Sequence, residues 1–311
     1  MKLSASTGDF AGYVESVAEE IACFENTPFR YLNLEQGGPL YLSNDDSEWK
    51  RKAEEWGNAA AKAGVSLVLS HSPCVNACKT LDEDSFALAV RAIRRSLEVC
   101  HLLGIRRTVV HASFNGLLTK EEFYQQNKRF YGALFDLMEK YDITVMTENM
   151  DNLSFYPIST GKEMREFIDY IDHPLFAGCW DTAHANNDNQ VKEIGQYQCI
   201  VDIGDKLKAL HIADNFGDGF HQHTWPFAGC VNFDSVMQGL LDVQYDGYFN
   251  FEASYTLLHT RNYPCRRQPW EYQGQPVTKL QNPPLQLKQK AEELLFETGK
   301  TILEAYDCFE L

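Results

Sequence analysis

The chain reads as an α/β protein, a single-domain (β/α)8 TIM barrel, on three observations. Eight short apolar runs alternate from end to end with segments of helical period. The length, 311 residues, suits one barrel of about 250 residues with additions. No G-x-G-x-x-G or Walker loop follows any of the runs, which weakens nucleotide-binding forms of the main rival, a doubly wound sheet.

The strand candidates are residues 2–6, 29–34, 65–70, 107–111, 144–148, 177–181, 209–212 and 248–252. Each is short and mostly apolar or β-branched, as strands buried on both faces of a parallel sheet must be. Helical patterns lie between them. Residues 46–62 repeat Trp49, Ala53, Trp56 and Ala60 at helical spacing, and 82–103 repeat Phe86, Val90, Ile93, Leu97 and Leu102. Residues 120–141 carry Phe123, Phe130, Leu134 and Met138. Thr160 with Glu163 three residues on forms a capping box that opens a helix over 161–171. Helices over 234–243 and 285–306 complete the series. The apolar stripes on these helices are core packing.

Composition limits the partners. The net charge is −16, with 28 basic residues facing 44 acidic ones and no basic run. A nucleic-acid surface needs clustered Lys and Arg to replace counterions on phosphates, so no nucleic-acid partner is expected. Nine Cys are scattered singly. Cys74 and Cys78 stand four apart with no second pair following, which argues against a zinc ribbon. The odd count, and a start that leads straight into a strand, point to reduced thiols and a cytoplasmic setting. No apolar stretch reaches the roughly 20 residues of a membrane span.

In such a barrel the C-terminal strand ends face the active site. The last six strands end in His71, His111, Glu148, Asp181, His211 and Glu252. The first ends in Ser and Thr, the second in Asn33 and Glu35. One such residue is ordinarily a satisfied core polar group. Six in register, each costly to bury without a partner, point to a shared cation. More ligand types follow: His184 stands one helical turn after Asp181, Asp214 and Asn215 follow His211, and His221 and His223 lie in the loop beyond the seventh strand. His101, His173 and His259 have no such placement and read as surface or core residues.

The segments Ser70-His71-Ser72-Pro73, Val110-His111, Thr147-Glu148-Asn149, Trp180-Asp181-Thr182-Ala183-His184, His211-Ile212-Ala213-Asp214-Asn215 and Phe251-Glu252 resemble the xylose-isomerase-like barrel superfamily over roughly residues 2–255. That superfamily includes sugar isomerases and epimerases, inosose dehydratases and endonuclease IV. The resemblance to the epimerase branch implies one divalent cation held by Glu148, Asp181, His211 and Glu252. It places His184 and His223 beside substrate, with His71, His111 and Asp214 as further substrate contacts. The resemblance to the endonuclease IV branch implies more metal, with His71, His111, His184, His221 and His223 as additional ligands. That branch has Asp-x-His where this chain has His221-Gln222-His223.

The epimerase resemblance implies proton transfer beside a carbonyl of a small sugar, sugar phosphate, inosose or polyol. The developing enediolate needs electrostatic stabilisation, which a divalent cation supplies as a Lewis acid. Mixed Glu, Asp and His ligation suits Mn, Zn, Co or Fe. Glu148 and Glu252, three strands apart, are the expected acid–base pair on opposite faces of the substrate. The alternative is a metal-dependent hydrolase or lyase on the same barrel. A third reading, a non-catalytic sugar-binding barrel, gives no reason for two opposed Glu residues.

One stretch breaks the rhythm. Residues 254–284 carry Tyr263, Pro264, Arg266, Arg267, Trp270 and Tyr272 before the last helix. A loop this long in a compact domain serves as a lid, a binding loop or an oligomer contact. Arg266 and Arg267 could grip a phosphate, though the sequence favours an exposed or interface pair.

Overall fold

In the computed structural model, residues 1–37, 39–42, 46–79, 82–150, 157–262, 265 and 267–311 are described. Eight parallel strands run β1 (Leu3–Ser6), β2 (Tyr31–Glu35), β3 (Ser66–His71), β4 (Arg107–Val109), β5 (Thr144–Glu148), β6 (Phe176–Asp181), β7 (Leu207–His211) and β8 (Phe249–Asn250). They pair in the order β7-β6-β5-β4-β3-β2-β1-β8. The two ends of that row meet where Ile212 bridges Phe251, with Ile212 N donating to Asn250 O at 2.8 Å and Glu252 N to Ile212 O at 3.1 Å. The sheet thus curls into the expected barrel.

Helices fill the crossovers: α1 (Val17–Cys23), α2 (Asp46–Ala63), α3 (Glu83–Leu102), α4 (Lys120–Gly132), α5 (Phe135–Tyr141), α6 (Gly161–Ile171), α7 (Thr182–Asn187), α8 (Asn189–Ile194), α9 (Gln196–Ile203) and α10 (Phe233–Asp242). The segment expected as one helix over 120–141 is two. Thr119 opens α4 with a capping box, and the chain then breaks at Ala133 and Leu134 before α5 resumes. Thr160 opens α6 with the capping box read from the sequence. Beyond β8, a two-stranded hairpin, β9 (Glu271–Tyr272) and β10 (Gln275–Pro276), interrupts the long segment, and α11 (Leu285–Ala305) ends the fold.

Strand alternation builds two cores, because successive side chains point to opposite faces. In β6, Phe176 and Trp180 join the large cluster between sheet and helices, whereas Ala177 and Cys179 join a small inner cluster with Leu69, Val109, Met146 and Ala209. Gly178 faces outward where α6 crosses closely: a Cβ there would stand 2.6 Å from Met164 Sδ. The inner cluster fills the barrel at mid-height. Two residues further along each strand, on the same face, come His71, His111, Glu148, Asp181 and His211, with Glu252 two beyond Asn250 of β8. A period of two along each strand therefore lifts the polar set directly above the inner apolar layer.

Candidate active site

Most of the polar set is buried, with His111 and Glu252 half-buried at the mouth. Asp181 and His211 are fully enclosed, Glu148 is 1% exposed and His71 4%, while the Glu252 side chain keeps 23% of its surface at the mouth. One ligand atom from each of Glu148, Asp181, His211 and Glu252 lies within 4.8 Å of the other three. His211 Nδ1 stands between the two glutamates, 3.0 Å from Glu148 Oε1 and 2.9 Å from Glu252 Oε2. None of these three atoms is aligned as a hydrogen bond, and Asp181 Oδ2 also lacks a partner. Buried polar atoms are almost always satisfied, so four orphaned atoms converging on one space fit a divalent cation.

Local chemistry fixes the platform. Asp181 is the N-cap of α7, its Oδ1 accepting from His184 N at 2.6 Å, so the capping turn sets the Asp–His spacing. The Asn149 side chain ties the ends of β5 and β6, donating to Asp181 O at 3.0 Å and accepting from Asp181 N at 2.7 Å. Thr182 Oγ1 donates to Ala213 O at 2.6 Å, joining β6 to the residues beyond β7.

Backbone carbonyls select the histidine tautomers. His71 Nδ1 lies 2.9 Å from Ser72 O, His184 Nδ1 2.9 Å from Asn149 O and His223 Nδ1 3.1 Å from Glu252 O. A carbonyl only accepts, so each Nδ1 carries the hydrogen and each neutral ring offers its Nε2 lone pair as a ligand would. His184 Nε2 is buried without a partner, and His223 Nε2 faces His221 Nε2 at 3.0 Å.

The charges in this space hold one another. Burial opposes ionisation of Glu148, but His211, His111 and His184 keep its carboxyl well below the usual range. Glu252 is lowered in the same way by His211 and His223. Burial raises Asp181, against the pull of His184 and His223. Burial also works against the imidazolium forms, yet Asp181 and Glu148 push His184 up to about 10, and Cys74 and Glu148 push His111 up to about 9. His221 goes the other way, pushed down to about 3 by burial and by His223 and His184. The carboxylates thus recruit positive charge, and metal binding exchanges protons for a cation at such ligands.

The structure brings together the residues expected from the sequence in three groups: Glu148, Asp181, His211 and Glu252; His71 and His111, joined by Cys74; and His184, His221 and His223. Asp214 is placed differently. It is buried, and its carboxylate accepts from the backbone N–H groups of Asn215 (2.8 Å), Gly229 (2.9 Å) and Val231 (2.9 Å). Those bonds build the loop after β7, and a Cβ at Gly229 would stand 2.2 Å from Asn215 O, so only glycine fits there. Cys74 and Glu35 were not among the expected site residues. Glu35 Oε1 comes within 3.6 Å of His71 Nδ1. Its strand-end position was visible in the sequence, as was the His71-x-x-Cys74 spacing. His101 stacks on Tyr141 and His173 on Phe135, as packing residues.

In residues 254–284, Tyr263, Pro264 and Arg266 lie outside the described residues. The root of the segment is tied to the barrel: Tyr13 donates to Leu257 O, Lys288 Nζ to Thr256 O at 3.0 Å, and Tyr255 N to His223 O at 3.0 Å. Arg267 donates to Leu258 O at 2.8 Å. Trp270 and Tyr272, 60% and 59% exposed, stack with ring centroids 6.0 Å apart on the hairpin. No helix among the described residues is long and apolar enough to cross a membrane.

Barrel and site together define a class: a (β/α)8 protein with buried carboxylates and imidazoles grouped at the C-terminal mouth that could hold a metal ion. The family model for the xylose isomerase-like TIM barrel matches residues 27–268, and the chain belongs to that family. An uncharacterized protein of Methanocaldococcus jannaschii is 26% identical over 176 residues, 56% of this chain and 59% of that protein. A probable endonuclease 4 of Shouchella clausii is 24% identical over 211 residues, 64% of this chain and 68% of the relative. The first of these matches spans less than two thirds of the relative's length. Among solved structures, a D-tagatose 3-epimerase-like protein superposes with a TM-score of 0.70 at 21% identity, covering 98% of this chain and 100% of its own. D-psicose 3-epimerase from Clostridium cellulolyticum H10 superposes at 0.74 with 15% identity, covering 97% and 99%. At these identities the structural likeness is one of fold.

Proposed function

We propose that this chain is a metal-dependent epimerase or isomerase that moves a proton beside the carbonyl of a small ketose or polyol-derived substrate. The observation that carries this reading is the pair of glutamates flanking His211, with Glu148 and Glu252 oxygens 3.0 and 2.9 Å from its Nδ1. The sugar 3-epimerases among its structural neighbours support the substrate class.

Glu148, Asp181, His211 and Glu252 would hold the cation. Bound there, a Mn, Zn, Co or Fe ion would supply Lewis acidity to the negative charge that develops beside the carbonyl. One glutamate takes the proton from the carbon, and the other returns one from the opposite face. Asp181 and His211 keep the site's charge and shape. His184 and His223, their tautomers fixed by Asn149 O and Glu252 O, orient substrate hydroxyls with His71 and His111. Asp214 shapes the loop that carries His221 and His223. The segment 254–284, rooted at the mouth, serves as a lid or subunit contact through Trp270 and Tyr272.

A second reading, a metal-dependent hydrolase, is favoured by two observations: three groups of ligand types meet in this mouth, and the Shouchella clausii relative is a probable endonuclease 4. Incubating ketoses and inososes with metal-loaded protein in deuterated water separates the two. Deuterium entering beside the carbonyl, followed by NMR, is the expected result. No exchange across a broad sugar panel, together with cleavage of phosphodiesters or another ester, would give the site to the hydrolase.

A further inference from the structure

We infer that the cavity at the N-terminal floor of the barrel, opposite the mouth, is an anion site that takes a phosphate group through Lys2 and Arg107. The cavity holds about 410 Å³, and Lys2, Arg106, Arg107, Asp246, Tyr248 and Glu310 are among the residues that line it. That volume falls in the range of small-molecule sites. Strand alternation builds the floor. Arg107 stands two residues before Val109 of the inner cluster. Lys2 and Tyr248 stand two before Ser4 and Asn250, whose side chains bond at 2.7 Å. The period of two that lifts the acidic set to the mouth thus drops two cations and a phenol to the opposite end.

These cations are left over. Both are half-buried, and among the described residues neither Lys2 nor Arg107 forms an ion pair. Lys2 Nζ donates to Tyr31 Oη at 2.9 Å, and Arg107 Nη1 donates to Lys208 O at 3.3 Å. An ammonium and a guanidinium together carry more donors than these two bonds use. Burial and then Tyr31 raise the Tyr248 phenol, whereas Lys2 and Arg107 both pull it down. The two cations therefore act on one ring, although they come from β1 and β4, three strands apart. The other charges are placed differently. Arg106 donates to Tyr141 O and stands 3.9 Å from Asp142. Glu310 is held by the Met1 ammonium at 3.0 Å, and Asp246 is exposed. In a chain of net charge −16, two unpaired, half-desolvated cations meeting at one cavity are costly alone and are satisfied by a bound anion. A phosphate suits the pair: the guanidinium fork takes two of its oxygens and the ammonium a third. The inner apolar layer lies between floor and mouth, so the inference does not depend on which reaction the barrel performs.

The test titrates the full chain with inorganic phosphate in chloride buffer, followed by calorimetry, once as purified and once after stripping with chelator. Phosphate on the floor survives stripping, whereas phosphate on a cation at the mouth does not. Arg107→Met should weaken binding by about ten- to a hundredfold, the worth of one hydrogen bond to a charged group, and Lys2→Met should weaken it as well. Asp246→Asn, at an exposed position, should tighten it by about two- to fivefold, the scale of an exposed charge pair. A hexose phosphate run beside inorganic phosphate finds the source: equal affinities assign the free ion, and a tighter hexose phosphate assigns a phosphorylated metabolite. Stripped protein that binds no phosphate would overturn the inference. So would a folded Arg107→Met protein with wild-type affinity or, if that variant does not fold, wild-type affinity in both Lys2→Met and Asp246→Asn.

Discussion

Glu148 divides its carboxylate between two histidines on opposite sides: Oε1 lies 3.0 Å from His211 Nδ1 and Oε2 3.0 Å from His111 Nε2. Glu252 touches only one side of this arrangement, through Oε2 at 2.9 Å from His211 and 3.8 Å from His223 Nδ1. The two glutamates should therefore respond differently to loss of charge. Glu148→Gln is expected to lower total divalent-metal content and abolish proton exchange. Glu252→Gln should retain more metal yet lose exchange by about 10²–10⁴-fold, the range of one general acid or base. Elemental analysis and deuterium exchange on the same preparations check this. A metal-loaded Glu252→Gln protein with wild-type exchange would remove Glu252 from the acid–base pair.

Asp181 has two duties that substitution can separate. Its Oδ1 caps α7 through His184 N at 2.6 Å, and its Oδ2 is one of the orphaned buried atoms. Asn also caps helices well, whereas Ala does not and costs about 1 kcal/mol of stability. Asp181→Asn should stay close to wild type in denaturant unfolding of the metal-free protein, with Asp181→Ala about 1 kcal/mol less stable. Both variants should bind divalent cations weakly. Tight cation binding by Asp181→Asn would argue that the charge of Asp181 is not needed as a ligand.

Lys288 is fully buried in α11, 2.8 Å from Glu292 Oε1, and donates to Thr256 O at 3.0 Å. Asp9, just beyond β1, is buried with both oxygens unpartnered, and burial first and Glu292 second raise its pKa well above the usual range. Removing one partner of a buried pair leaves an uncompensated charge and costs about 3–5 kcal/mol. Lys288→Met should lose stability of that order in equilibrium unfolding. It should also free the root of residues 254–284, so limited proteolysis there accelerates and KM rises while the fold persists at low temperature. Unchanged proteolysis and KM would detach this segment from any part in covering the site.

The strand ends were the legible part of this site, and the reason is geometric. Polar residues two positions beyond Leu69, Val109, Met146, Cys179 and Ala209 stand on the inner face of a barrel whose height each strand spans once, so one-dimensional spacing maps directly onto the mouth. The capping box at Thr160 was equally legible, because its partners sit three residues apart. Contacts made by the returning chain were not. Lys288 looks like any helix lysine until α11 closes on Asp9 and Thr256. Asp214 looks like a site carboxylate until the loop bends back to set Gly229 and Val231 against it. The break between α4 and α5 was missed because the apolar stripe runs on unbroken through Phe130, Leu134 and Met138, and no Pro marks the step. Cys74 lay beyond a strand end, one loop turn from His71, where a single thiol carries little signal by itself.

Glu20, on α1, carries a pH dependence of its own, linked to the site through Glu35. Burial, and then the nearby Glu35 carboxylate, push its pKa from an ordinary 4.5 to about 7. Between those values the folded protein keeps a proton that the unfolded chain has released. Where the folded state binds more protons, stability falls as pH rises, so this group costs nothing below about pH 4.5 and its full penalty above pH 7. Glu20→Gln removes the ionisable group while keeping the shape of the side chain. Because the side chain is partly exposed, solvent screening limits the gain to about 1 kcal/mol, or about 2 °C in Tm for a chain of this size. Calorimetry of the metal-free protein should show Glu20→Gln melting above wild type at pH 8 and together with it at pH 4. An equal gain at both pH values would mean that the substitution acts through packing, and a variant less stable at pH 8 would mean that the Glu20 carboxylate is welcome where it stands.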